Sequence, residues 1–174
     1  MNSQRGLVVI LVLFVLVLML TLMNQRPEIA SGPAPAVQIV MEPKGETIQL
    51  AAMTGHVVLL DFWATWCGPC KMTMPQLEKI YQKYKKNQIA VIGVSVDNAQ
   101  GQKNIPAVQK ELGITFPVMI AEKAPQITAK YDASNLPTIY VIDKKGKIRM
   151  VEQGLDRRRG LDAVDELVGD LVKE

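Results

Sequence analysis

The chain has 174 residues and a formal net charge of +3, from 20 basic and 17 acidic residues. Removing residues 1–36 takes away Arg5, Arg26 and Glu28 and leaves +2. Charge this balanced, with Asp and Glu interleaved among Lys and Arg, argues against nucleic acid as a partner and for a mixed solvated surface.

The length fits one domain plus an appendage. Leu7 to Met23 is apolar apart from Thr21. As a helix, a run of this length spans roughly 25 Å, near the lower limit for crossing a bilayer. A cleaved signal peptide has a shorter apolar core, of about 7–15 residues, closed by small residues. Here Asn24 to Glu28 follow directly and make a poor cleavage site, and Ala34-Pro35-Ala36 lies far from the apolar core. No cysteine follows the run, which argues against lipoprotein processing. The expectation is an uncleaved signal-anchor over residues 1–23. Arg5 and the amino terminus precede it, so the positive-inside rule places the N-terminus in the cytoplasm. The rest would face the periplasm or extracytoplasmic space. Residues 24–36 hold Pro27, Pro33, Pro35 and Gly32 and read as a spacer. Residues 37–174 are the expected globular domain.

Within that domain, Thr47 to Leu50 alternates as a short strand, and Gly55-His56 makes a turn. Val57 to Phe62 is dense in β-branched and apolar residues, as in a strand buried on both faces. A helix follows Cys67, with Met74, Leu77, Ile80, Tyr81 and Tyr84 at spacings of three and four. Pro69 suits its first turn, and Pro75 falls inside it. Ile89 to Val96 is a second buried strand ending at Asp97. Lys103 to Leu112 is a helix, Phe116 to Ile120 a strand, Pro125 to Tyr131 a short helix and Thr138 to Ile142 a strand. Asp143 to Gly146 is a tight turn from which Lys147 to Val151 returns. A last helix carries Leu161, Val164, Leu167, Val168, Leu171 and Val172 on one stripe. Arg157 to Arg159 near its start reads as solvated surface. The pattern predicts an α/β fold with a mixed sheet covered on both faces.

The two cysteines, Cys67 and Cys70, form one C-x-x-C, and the single histidine, His56, is a turn residue. Zinc needs about four ligands, so neither metal nor cofactor is expected. Cys67 lies where a helix begins, and the unpaired N–H groups there favour its thiolate, taking the pKa from ~8.5 toward ~7. Cys67 is the expected exposed nucleophile and Cys70 the buried resolving thiol. Asp61, six residues earlier on the buried strand, is costly there unless it has a task. It is the candidate base for Cys70; the alternative is a side chain facing solvent at the strand end. Leu136-Pro137 reads either as a loop terminator or as a cis peptide that leaves the Leu136 backbone free to pair with a substrate chain.

Asp61-Phe62-Trp63-Ala64, Trp66-Cys67-Gly68-Pro69-Cys70-Lys71, Pro75 and Leu136-Pro137-Thr138 together resemble the thioredoxin superfamily. The segment from Asp97 to Tyr131 looks like the strand-and-helix insertion of its TlpA/ResA-type members. So do Val94-Ser95-Val96-Asp97, Gly113 to Pro117 and Asp143 to Lys147. The resemblance implies a thioredoxin-like mixed sheet flanked by helices, with that inserted segment, after an N-terminal transmembrane helix. It implies a cis Pro137 beside the cysteines, and Trp66, Gly68, Pro69, Leu136 and Pro137 as the surface that meets substrate. It also implies reduction of protein disulfides outside the cytoplasm, commonly in cytochrome c maturation, with electrons from a CcdA- or DsbD-type membrane protein. Two positions depart from the group: Thr73 stands where members often carry Glu, and Asp61 where many carry a neutral residue. The same two thiols would also serve a disulfide-forming oxidant or isomerase. A membrane-tethered binding module is the non-enzymatic alternative, and a peroxidase is disfavoured by Ala64 three residues before Cys67.

Overall fold

The computed structural model describes residues 11–16, 19, 32–41 and 45–174. Residues 11–16 and 19 are helical; the rest of the expected anchor and most of the spacer lie outside the described residues. Among the described residues, no helix is long and apolar enough to cross a membrane. Ser31–Glu174 forms one compact unit.

An inner strand of its sheet is β3 (Val57–Trp63), seven residues all buried, six of them apolar and the seventh Asp61. β4 (Ile89–Ser95) runs parallel beside it, and β5 (Val118–Ile120) continues the parallel set. On the other side β6 (Thr138–Ile142) and β7 (Ile148–Gln153) add antiparallel strands joined by the Asp143–Gly146 turn. That turn is closed by Gly146 N–H on Asp143 C=O, while the Asp143 side chain accepts from the N–H groups of Lys145 and Lys147. β1 (Gln38–Met41) and β2 (Glu46–Gln49) complete the order β2-β1-β5-β4-β3-β6-β7. The sheet is therefore mixed.

Helix α1 (Gly68–Tyr84) leaves the end of β3. Between β4 and β6 lie α2 (Ala99–Gln102), α3 (Ile105–Leu112), β5 and α4 (Gln126–Lys130), and α5 (Asp162–Leu171) closes the chain. Alternation divides β3 between two layers. Val57, Leu59 and Trp63 join one apolar cluster with Cys70, Met74, Leu77, Ile105, Val108, Val164 and Val168 from α1, α3 and α5. On the opposite face Phe62 meets the rings of Tyr131 and Tyr140, at 6.0 and 5.8 Å between centroids. The Tyr131 hydroxyl donates to Pro35 C=O, tying the chain just before β1 to this face.

Several boundaries differ from the sequence reading, among them the start of β5 at Val118 rather than Phe116, and α2 lies outside any expected element. The third helix begins at Ile105 rather than Lys103, because Pro106 occupies its first turn and needs no hydrogen-bond acceptor there. β1 was not anticipated at all. It is four residues long and exists through pairing with β2 and, at Met41, with Met119 of β5.

Candidate active site

β3 and β4 end in register, Trp63 beside Ser95, while β6 starts beside them with Thr138 opposite Phe62. One end of the sheet therefore gathers the segment after β3, the residue pair before β6, and the loop after β4.

Cys67 is the N-cap of α1. Its backbone is extended, and its sulfur accepts a hydrogen bond from Cys70 N–H at 3.1 Å. Ser, Thr, Asp and Asn fill this position in most helices for the same reason. Gly68 and Pro69 form the exposed first turn, where proline forfeits no hydrogen bond. Cys67 and Cys70 are joined in a disulfide, S–S 1.97 Å. Trp66 projects from the turn just before, 71% exposed. Cys67 is less open than the sequence suggests. It is 5% exposed and Cys70 is 0% exposed, so the order of accessibility holds but both residues are buried in the oxidised state. The cause is local: Cys67 N–H bonds back to Ala64 C=O, folding the segment onto the apolar layer that both cysteines share with Trp63 and Met74.

Asp61 does not face solvent. It is fully buried, and neither carboxyl oxygen has a hydrogen-bond partner among the described residues. Alternation places it on the same face of β3 as Leu59 and Trp63, the face covered by α1 and its cysteines. Burial alone raises its pKa from 3.8 to about 7. The other buried acids, Asp97 and Asp143, are both hydrogen-bonded. Thr73, which stands where members of the TlpA/ResA-type group often carry glutamate, is buried and donates to Cys70 C=O at 3.0 Å, adding no titratable group.

The Leu136–Pro137 peptide is cis. Pro137 C=O is taken by Gly154 N–H, while the Leu136 backbone makes no hydrogen bond among the described residues. A half-buried residue packed against the apolar cluster that holds both cysteines thus has its backbone left unpaired among the described residues. Among the described residues, no group of His, Cys, Asp and Glu could hold a metal ion.

A family model described as AhpC/TSA matches residues 31–151, well over half of the chain. The chain belongs to the AhpC/TSA family. This AhpC/TSA member is 30% identical over 161 residues to the thiol-disulfide oxidoreductase ResA of Geobacillus thermodenitrificans, an overlap of 88% of this chain and 91% of that one. It is 38% identical over 111 residues to the thioredoxin-like protein YneN of Bacillus subtilis. That overlap spans 63% of this chain and 64% of YneN, just under two thirds of the relative. The crystal structure of a DsbE-type thiol:disulfide interchange protein from Chlorobium tepidum superposes with a TM-score of 0.72. It is 27% identical, over 82% of this chain and 98% of that one. The fold is therefore thioredoxin-like, and the cysteine pair is that of a thiol–disulfide oxidoreductase of the ResA/DsbE type.

One feature of the site had no local sequence signal. Thr65, two residues before Cys67, is bound by Asp97 from the end of β4, 32 positions away.

Proposed function

We propose that this protein reduces protein disulfides outside the cytoplasm, held to the cytoplasmic membrane by the apolar segment within residues 1–23. The observation that carries the reading is the pairing of an N-cap sulfur at Cys67 with an unpartnered buried carboxyl, Asp61, on the same face. A reduced Cys67 at that position is favoured as thiolate by the helix N-terminus and the Cys70 N–H.

The Cys67 thiolate attacks one sulfur of a substrate disulfide. A Cys67–substrate bond forms, the substrate S–S bond breaks, and one substrate thiolate leaves. Cys70 gives its proton to the Asp61 carboxylate and attacks Cys67, releasing the second substrate thiolate. Two electrons pass to substrate, and the Cys67–Cys70 disulfide remains. A membrane dithiol carrier of CcdA or DsbD type returns it to the reduced state. Trp66, Gly68 and Pro69 form the platform under the substrate, and the Leu136 backbone pairs with its chain beside cis Pro137. Secreted proteins with disulfides are the substrates of this reading, apocytochrome c among them. The Gly68-Pro69 pair between the cysteines supports the reducing direction.

The deciding experiment is the reduction potential of the full chain, equilibrated against dithiothreitol or glutathione buffers. A value below about −240 mV is expected, since such a pair works as a reductant when a donor keeps it charged. A value near −120 to −150 mV would make the protein an oxidant or isomerase and reverse the direction given above.

A further inference from the structure

Asp97 lies two residues past the end of β4 and is 3% exposed. Its carboxylate accepts three hydrogen bonds: from Thr65 N–H at 2.9 Å, from Thr65 Oγ1 at 2.7 Å and from Ser95 Oγ at 2.9 Å. Two of the three go to one residue, so both the backbone and the side chain of Thr65 are fixed. Hydrogen bonds to an ionised acceptor are roughly twice as strong as neutral ones. Thr65 and Trp66 are the central residues of the turn that Cys67 N–H closes onto Ala64 C=O at 3.0 Å. Asp97 therefore grips the turn that delivers both the exposed indole and the N-cap sulfur.

Asp97 is itself held from behind. Gln102 Nε2 donates to Asp97 C=O at 3.0 Å and to Glu122 Oε2 at 2.6 Å, joining two parts of the inserted segment at this point. Gly101 on α2 packs against the carboxylate so closely that a Cβ there would run into Asp97 Oδ1 and lie 3.0 Å from Cγ. No local bond replaces this grip, because Thr65 Oγ1 makes no other hydrogen bond among the described residues.

We propose that Asp97 is a positioning residue for the thiol pair, through which the inserted segment fixes the Thr65–Cys67 turn and with it the reactivity of Cys67. This rests on the reading of Cys67 as the attacking thiol. Without the grip, the turn samples other conformations, and the Cys67 sulfur spends less time at the helix N-terminus that stabilises its thiolate.

The test is the rate at which Cys67 of the reduced full chain is alkylated by iodoacetamide at pH 7, alongside kcat and KM for a disulfide peptide with dithiothreitol as reductant. Thr65→Val removes the hydroxyl donor at nearly constant size, whereas Thr65→Ser keeps it. Thr65→Val should slow alkylation about tenfold, the size of one lost hydrogen bond to a charged group. Thr65→Ser should restore it. Gly101→Ala, which changes neither the turn nor the cysteines, should reproduce the loss; if it fails to fold, the two Thr65 variants decide alone. Alkylation of a folded Thr65→Val at the wild-type rate, with only its unfolding midpoint lowered, would reduce Asp97 to a structural brace and overturn the proposal. Alkylation does not depend on the direction of electron flow. A wild type that alkylates readily but reduces no disulfide would defeat the proposed function and leave this question to the Thr65 pair.

Discussion

Asp61 lies directly opposite Gly93 on the neighbouring parallel strand, and the Trp63 indole fills the space Gly93 leaves, with Nε1 3.0 Å from where a Cβ would stand. The Asp61 carboxyl is fully buried, and neither of its oxygens has a hydrogen-bond partner among the described residues. Its desolvation is uncompensated, which is why its pKa rises to about 7.

That shift is also a statement about stability. The folded protein keeps a proton on Asp61 across the range from 3.8 to about 7, where the unfolded chain has released it. Stability from this group is full below the unfolded value and is lost as pH rises through the folded one. Over the whole window the loss is about 4 kcal/mol, of which roughly 2–3 kcal/mol falls between pH 5 and 8. Asp61→Asn abolishes the titration. Urea unfolding should show the variant gaining on the wild type as pH rises from 5 to 8. A gap that stays constant with pH would mean that the carboxyl is not buried as described.

Activity should move the opposite way. Asp61→Asn leaves Cys70 without its proton acceptor, so turnover at pH 7 should fall about a hundredfold, within the usual range for a general base. The deficit should shrink at alkaline pH, where Cys70 ionises unaided. Cys67→Ser should abolish reduction, and Cys70→Ser should accumulate mixed disulfides with substrate. A Cys70→Ser variant that traps nothing in cells would remove the resolving role.

The sequence exposes local features of this fold well and distant ones poorly. The α1 start was legible because the Cys67 cap, Pro69 and the apolar spacing of Met74, Leu77 and Ile80 all act within one segment. β3 and β4 were legible as dense β-branched runs. β1 was not, because Gln38 to Met41 is short and its partners lie on β2 and β5. The burial of Cys67 depends on a turn closed onto Ala64, and the grip on Thr65 depends on Asp97 from another strand. Neither leaves a periodic trace. Asp61 was visible as an acid in an apolar run, but which way it faced could only come from the register of β3 under α1.

Gly93 offers a test of that packing. In the central strand β4 a glycine weakens pairing unless a neighbour needs its space. Here Trp63 Nε1, Val118 Cγ2 at 3.1 Å and Phe116 Cε2 at 3.4 Å all crowd the Cβ position. The indole is rigid, so Gly93→Ala must shift it. Overpacking of this kind costs about 1–3 kcal/mol. Thermal unfolding should show that loss, and Trp63 fluorescence should change with it. A variant as stable as the wild type would show that the indole can move aside freely.

Glu78 on α1 holds the chain entering β5. Its carboxylate accepts from Thr115 N–H at 2.8 Å, Thr115 Oγ1 at 2.6 Å, Phe116 N–H at 3.4 Å and Gln82 Nε2 at 2.6 Å. Partial burial pulls its pKa upward, but these donors outweigh it and hold the pKa below the ordinary 4.5. A depressed carboxylate contributes stability above its unfolded value and loses it as pH falls through the folded one. The site is mostly solvated, so the electrostatic part is discounted for screening and the effect is chiefly local. Glu78→Ala should therefore cost about 1 kcal/mol globally. It should speed hydrogen exchange at the Thr115 and Phe116 amides far more than at β3, because those two N–H groups lose their only acceptor among the described residues. Exchange at Thr115 unchanged by Glu78→Ala would show that the segment is held by the β4–β5 pairing alone.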